Sequence, residues 1–283
     1  MDYYPVIIIG APRSGTNMLR DVLCNLKDVS TWPCDEINYI WRHGNARYPS
    51  DAFPITNATE SVSKYIRQEF STFANINSAK YLIEKTCANS LRVPFVDAVL
   101  PEAKYIYIVR NGVDVVYSAV KRWKANLDIS YILKKARYIP KGDLPYYMFQ
   151  YFSNRAYKIF SKENRLKTWG PRIDYVQFKD LKSIEELCAT QWNECVKSSD
   201  QAFYNMNNNK VHYVKYEDFV TNPQNEIKKI GNFLNWDYSS DAYQAATKDV
   251  RKTSVGMGKK KASNELLKKI NPIIEKSLKH HGY

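Results

Sequence analysis

A layered α/β fold built on a central parallel sheet is what this sequence predicts, on two observations. Four short apolar stretches rich in β-branched or aromatic residues, Val6 to Ile9, Tyr81 to Ile83, Tyr105 to Val109 and Val211 to Val214, are separated by helix-length segments. That is the pattern of strands buried on both faces. Each stretch is followed at once by a polar or glycine-bearing tip: Gly10 to Thr16, Glu84-Lys85-Thr86, Arg110, and Lys215 to Asp218. Ligands of open parallel sheets sit at the carboxyl ends of the strands, so the four tips are expected to converge on one cleft.

The 283 residues suffice for a core without disulfide or metal staples, and a single domain spanning 1–283 is expected. Hydrophobic residues make up 44% and charged residues 25%, an ordinary globular balance that argues against disorder. The net charge of +13 points to an anionic partner: nucleic acid, a membrane surface or a phosphate-rich small molecule. Charge alone does not choose among them, and much of the excess lies in the Lys-rich run from Lys248 to Lys279.

The five cysteines form no CxxC pair, and the four histidines fall at spacings unlike those of metal ligands. The expectations are a reducing, cytoplasmic compartment and no metal. No apolar run approaches the roughly 18 residues that span a bilayer, and the first residues lack a signal pattern, so no membrane association is expected.

The first strand runs into Gly10-Ala-Pro-Arg-Ser-Gly-Thr16 and then a helix carrying Met18, Leu19, Val22 and Leu26. Such a loop aims backbone N–H groups and a helix N-terminus at one point, as a phosphate requires. Gly10 and Gly15 have Walker A spacing, yet Thr16 and Asn17 stand where that pattern has Lys and Ser/Thr. The residues that serve a triphosphate and its magnesium are therefore missing. A sulfuryl group carries less charge and can be transferred with fixed cations such as Arg13. A plain tight turn before a helix is the alternative.

Arg110 ends the third stretch, and Ser118 follows two turns into the next helix, Val113 to Trp123. The two can grip one phosphate from two sides, or Arg110 can instead form an ion pair with Asp114. Residues 121–170 are aromatic and basic without strand patterning, and Pro140, Gly142 and Pro145 mark a break. They read as a helical lid insertion, with Trp123, Tyr131, Tyr138, Tyr146, Tyr147, Tyr151 and Trp169 as an acceptor wall or, for about half of them, as core. Further on, Ser183 with Glu186 predicts a capping box, and Asn222-Pro223 an N-cap with proline at the first helical position.

With these pieces in place, the sequence resembles the sulfotransferases that use 3′-phosphoadenosine 5′-phosphosulfate (PAPS), whose fold is similar to that of P-loop NTPases. The resemblance is carried by Pro12-Arg-Ser-Gly-Thr16, the Arg110-x7-Ser118 pair, the Tyr216-Glu-Asp segment running to Leu234, and Arg251-Lys-Thr-Ser-Val-Gly-Met-Gly-Lys259. It implies that Arg13, Ser14, Gly15, Thr16 and Asn17 hold the 5′-phosphosulfate. Arg110, Ser118, Arg251 and Lys252 would hold the 3′-phosphate, with Tyr216 near the adenine.

Thr253 replaces the family's glycine and Gly258 its tryptophan. Lys85-Thr86-Cys87 resembles the Lys-Thr-His of cytosolic members, but a thiol, mostly protonated at neutral pH, does not replace a histidine base. The tyrosylprotein branch of the family places a glutamate where Asp35-Glu36 stands here. Glu36 is thus the expected base, with Asp35 as substitute, and Lys85 and Arg13 stabilise the leaving phosphate, the product being 3′-phosphoadenosine 5′-phosphate (PAP). The acceptor, an alcohol, phenol, amine, glycan or peptide, is not specified by the sequence. A P-loop kinase or NTPase and a non-enzymatic polyanion binder using the Lys-rich run are the rival readings.

Overall fold

The computed structural model describes residues 3–124, 135–160, 168–174 and 183–283. Five parallel strands, β1 (Tyr4–Ile9), β2 (Val29–Thr31), β3 (Tyr81–Glu84), β4 (Lys104–Val109) and β5 (Val211–Lys215), form one sheet in the order β2-β3-β1-β4-β5. On central β1, Ile7 pairs with Glu84 of β3 on one side and Tyr105 of β4 on the other. The four expected strands are all present. Edge strand β2 escaped the sequence reading because it has three residues, of which only Val29 is buried.

Alternation along β1 divides the core in two, since successive side chains of a strand point to opposite faces. Val6 and Ile8 pack with Leu19, Val22 and Leu23 of the helix Thr16–Cys24, and with the helices Pro223–Leu234 and Ser240–Thr247. Ile7 and Ile9 face the other way, into a cluster with Val96, Val116, Trp192 and Ile274. Helices thus cover both faces, giving the three-layer arrangement the sequence predicts. Among the described residues, no helix is long and apolar enough to cross a membrane.

Ser183 and Glu186 form the reciprocal capping box, with Glu186 N donating to Ser183 Oγ (3.2 Å) and Ser183 N to Glu186 Oε2 (2.8 Å). Asn222 departs from expectation. It stands at the N-cap position before Pro223, but its side chain caps nothing, because the same residue ends the preceding helix Tyr216–Thr221. Its own N–H is committed to Asp218 O at 2.9 Å.

Within 121–170, the helix Leu144–Phe160 follows a single 3-10 turn at Lys141–Asp143, which places the break where Pro140, Gly142 and Pro145 predict it. Trp123 is wholly buried, and Tyr147 is buried against Tyr39, so both are core rather than wall. Tyr131 lies outside the described residues.

Behind the sheet edge, the buried Asp51 carboxylate is held by Arg42 (2.6 Å) and Arg92 (3.4 Å), and it accepts the backbone N–H of Arg172 at 2.7 Å. This network pins the segment after Trp41 to the segment after β3. Removing one partner strands buried charge. Asp51→Ala is therefore expected to lower unfolding free energy by about 3–5 kcal/mol, measured as a fall in the urea midpoint.

Candidate active site

The loop after β1 carries two left-handed residues, Arg13 (φ 70°) and Gly15 (φ 89°). Gly15 is required twice over. A Cβ there would sit 2.3 Å from the Tyr216 ring, in a backbone conformation that L side chains rarely adopt. Gly15 is also the N-cap of Thr16–Cys24, which has no side-chain cap and no acid in its first turn. The helix therefore presents uncompensated N–H groups where an anion is favoured. Arg13, Gly15, Thr16 and Asn17 line the cavity above this loop, and Arg13 Nε donates to Ser118 Oγ at 2.9 Å. Ser14 does not join them. Its side chain is buried beneath the loop and its hydroxyl has no protein partner.

At the tip of β3, Lys85 Nζ lies 3.1 Å from Glu36 Oε1, which also accepts the Cys87 N–H at 3.3 Å. Burial raises the Glu36 carboxyl, but the Lys85 and Lys135 ammonium groups outweigh it and hold the carboxyl at about 2. Burial acts to lower Lys85, but the groups around it, Glu36 foremost, together raise it above its ordinary value. Cys87 is excluded as a base, because burial and the neighbouring Glu36 push its thiol well up, beside Thr16 Oγ1 at 3.7 Å.

Beneath this pair, Thr86 Oγ1 donates to Glu84 Oε1 (2.5 Å) and accepts the Ile37 N–H (3.2 Å), while Asn89 donates to Glu84 Oε2 (2.9 Å). The strand-end residues thereby fix the segment bearing Glu36. Asp35 also lines the cavity, 3.8 Å from Arg20.

Arg110 makes the ion pair with Asp114 that its position allows, and its guanidinium also lines the cavity. It stands 3.6 Å from Asp114, lies over the Tyr216 ring at 4.3 Å, and donates to Arg13 O (3.1 Å) and Ser254 O (2.5 Å). Its Nε is buried without a partner among the described residues, and Arg110 lines the same cavity as Ser118 and Arg13. Tyr216 is packed under Gly15 and bonds Ser254 Oγ at 2.6 Å, so it forms a floor of the cavity.

The 251–261 segment closes one wall. Asp114 accepts the backbone N–H groups of Gly256 (2.7 Å), Gly258 (2.6 Å) and Lys259 (3.3 Å). Arg251, Thr253, Ser254 and Met257 line the cavity. Lys252, with an exposed side chain, does not.

The cavity measures about 810 Å³. Among the described residues, seven cationic side chains line it against three acidic ones, Asp35, Glu36 and Asp114, a surplus of four positive charges. Burial, with Arg122 and Arg110 nearby, lowers the Arg13 guanidinium. The sequence reading had Lys121 and Arg122 within its lid segment and Glu217 within a strand-end tip without assigning them contacts, and it missed Asp114 as the latch for the wall; Glu217 accepts the Asn111 N–H (3.1 Å) and the Tyr283 hydroxyl (2.6 Å).

The sulfotransferase domain family model matches residues 4–281, and the chain belongs to that family of enzymes.

Solved structures agree on the fold. The sulfotransferase domain from the curacin biosynthetic pathway is 12% identical with a TM-score of 0.57, covering 97% of each chain. Sulfotransferase STF9 from Mycobacterium avium is 11% identical with a TM-score of 0.55, over 99% of this chain and 77% of that one. Mouse sulfotransferase SULT7A1, complexed with PAP, is 14% identical with a TM-score of 0.53, over 97% and 84%. No curated protein sequence gives a significant match.

Glu84 sets a pH dependence. Burial raises its carboxyl, against the Thr86 hydrogen bond, from 4.5 to about 7. The folded state thus holds this proton more tightly than the unfolded chain. The associated stability is complete below about pH 4.5 and is lost as pH rises through about 7. In Glu84→Gln that decline should flatten, measured as urea midpoints across pH 4–8 relative to the unsubstituted protein.

Proposed function

We propose that this sulfotransferase takes its sulfuryl group from PAPS and passes it to an acceptor hydroxyl or amine, with Glu36 as base. The observation that carries the reading is that the Arg13–Asn17 loop and the Arg110–Ser118 pair open into one cavity whose surplus of positive charge suits a bisphosphorylated nucleotide of about four negative charges. The residues fit the ligand in a second respect. Arg110 Nε is an orphaned buried donor within this cation cluster, the kind of group a phosphate satisfies.

Arg13 and the N–H groups at Gly15 to Asn17 would hold the 5′ end, and Arg110, Ser118 and Arg251 the 3′-phosphate. When bound, PAPS supplies the sulfuryl group, whose bond to phosphate oxygen breaks as a bond to the acceptor atom forms. Glu36, ionised at neutral pH, takes the acceptor's proton. Lys85 and Arg13 face the charge appearing on the departing phosphate. A carboxyl held at about 2 is a weak base. Transfer of the Lys85 hydrogen bond from Glu36 to that phosphate would strengthen it, coupling proton removal to departure.

Trp169, Lys121, Arg122 and Lys135 bring the 121–170 region to the cavity wall, and acceptor recognition is assigned there. The missing Walker lysine weighs against ATP as donor.

PAP at about 100 times its Kd should add about 2.7 kcal/mol to folding stability, read as a rise of several degrees in Tm. ATP with magnesium should give a smaller shift, and the reverse order would overturn the donor assignment. With an acceptor found by screening labelled PAPS, Glu36→Gln should cut turnover by about 10²–10⁴ while PAP still raises Tm. Unchanged turnover would move the base to another residue, Asp35 first.

A further inference from the structure

Outside the cavity, the fold brings together three side chains that the sequence keeps far apart. Asp200 lies on the helix Ile184–Tyr204, and His280 and His281 stand at the end of the helix Asn264–His280. Asp200 Oδ2 is 3.1 Å from His281 Nε2 and 4.0 Å from His280 Nε2, and the three donor atoms all lie within 4.8 Å of one another. Among the described residues, no other group of three such donors converges in this way. The individual histidine spacings gave no hint of it, because the carboxylate comes from a different helix.

The spacing has chemical meaning. A tetrahedral ion with bonds of about 2.0–2.1 Å separates its ligand atoms by about 3.3–3.4 Å, between the two observed distances. Two imidazoles and one carboxylate form a donor set suited to borderline cations such as zinc.

Two of the three ligands are already set in place. Asp200 Oδ1 accepts the Tyr107 hydroxyl at 2.9 Å, which orients the carboxylate and turns Oδ2, hydrogen-bonded to His281 Nε2 at 3.1 Å, toward the two histidines. The His281 side chain is only 13% exposed, its ring 6.2 Å from that of Tyr107. His280, at 69% exposure, is free to swing the short distance that closes the set.

We propose that Asp200, His280 and His281 bind a divalent transition cation of the zinc type, with the remaining coordination position left to water. The ion fastens the end of one helix to the C-terminal part of another. Two residues beyond His281, the Tyr283 hydroxyl lies 2.6 Å from Glu217 Oε2 and 3.2 Å from Val109 O. Glu217 in turn holds the N–H of Asn111, next to Arg110. The clasp therefore supports the backbone beneath the expected 3′-phosphate cradle, although the metal site itself does not depend on the identity of the nucleotide.

The test is calorimetric titration of the metal-free full chain with zinc chloride at neutral pH, accompanied by thermal melts. One zinc per chain and a raised Tm are expected. His280→Ala alters an exposed side chain and leaves the Asp200–His281 pair and all five cysteines in place. It should abolish stoichiometric binding without lowering the metal-free Tm. Tyr107→Phe should weaken binding by about tenfold. Cobalt(II) in place of zinc should show no thiolate charge-transfer band. Absence of saturable zinc binding, equal affinity in His280→Ala, or a thiolate band would each overturn the proposal.

Discussion

Positive charge gathered at one edge of a parallel sheet is the constraint on which the site depends. Arginine and lysine side chains from three separate strand ends, Arg13, Lys85 and Arg110, meet there, and their mutual repulsion must be contained without ligand. Each of the central ones is held by its own partner: Lys85 by Glu36, Arg110 by Asp114 and Ser254 O, and Arg13 by Ser118. The partners hold position more than they neutralise, since the lining keeps its cationic excess. Affinity for an anion is thus built into the fold before any ligand arrives.

The same arrangement joins binding to chemistry. Lys85 serves as counter-ion to the carboxylate assigned as base and stands at the wall of the cavity. The polar chain through Thr86, Glu84, Asn89 and Arg92 reaches from that pair to the buried Asp51. Catalytic geometry at the surface of the cavity therefore rests on ion pairs in the protein interior. Such buried networks fix one arrangement because every alternative leaves a charge or donor unsatisfied.

Much of this was legible in the sequence, and the physics of each signal explains why. The four strands and the Gly15 turn announce themselves by local composition, and the Ser183–Glu186 box by a spacing of three residues. β2 is too short to show a period. Lys252, expected as a ligand from its place in the Arg251–Lys259 motif, lies outside the cavity lining, whereas Thr253 and Ser254 belong to it, because which side of a wall a residue faces is not written in its neighbours' identities. The Asp114 latch binds backbone N–H groups, which carry no sequence signature at all. Asn222 has cap chemistry, yet its position between two abutting helices takes its side chain out of use.

Gly258 shows how far one position governs the shape of the site. A Cβ there would fall 2.6 Å from both Asp114 Cα and Val113 O, which are backbone atoms and cannot turn aside. The 251–261 wall and the Arg110-bearing segment consequently meet main chain to main chain. A side chain at 258 would therefore push this wall away from the helix that follows Arg110.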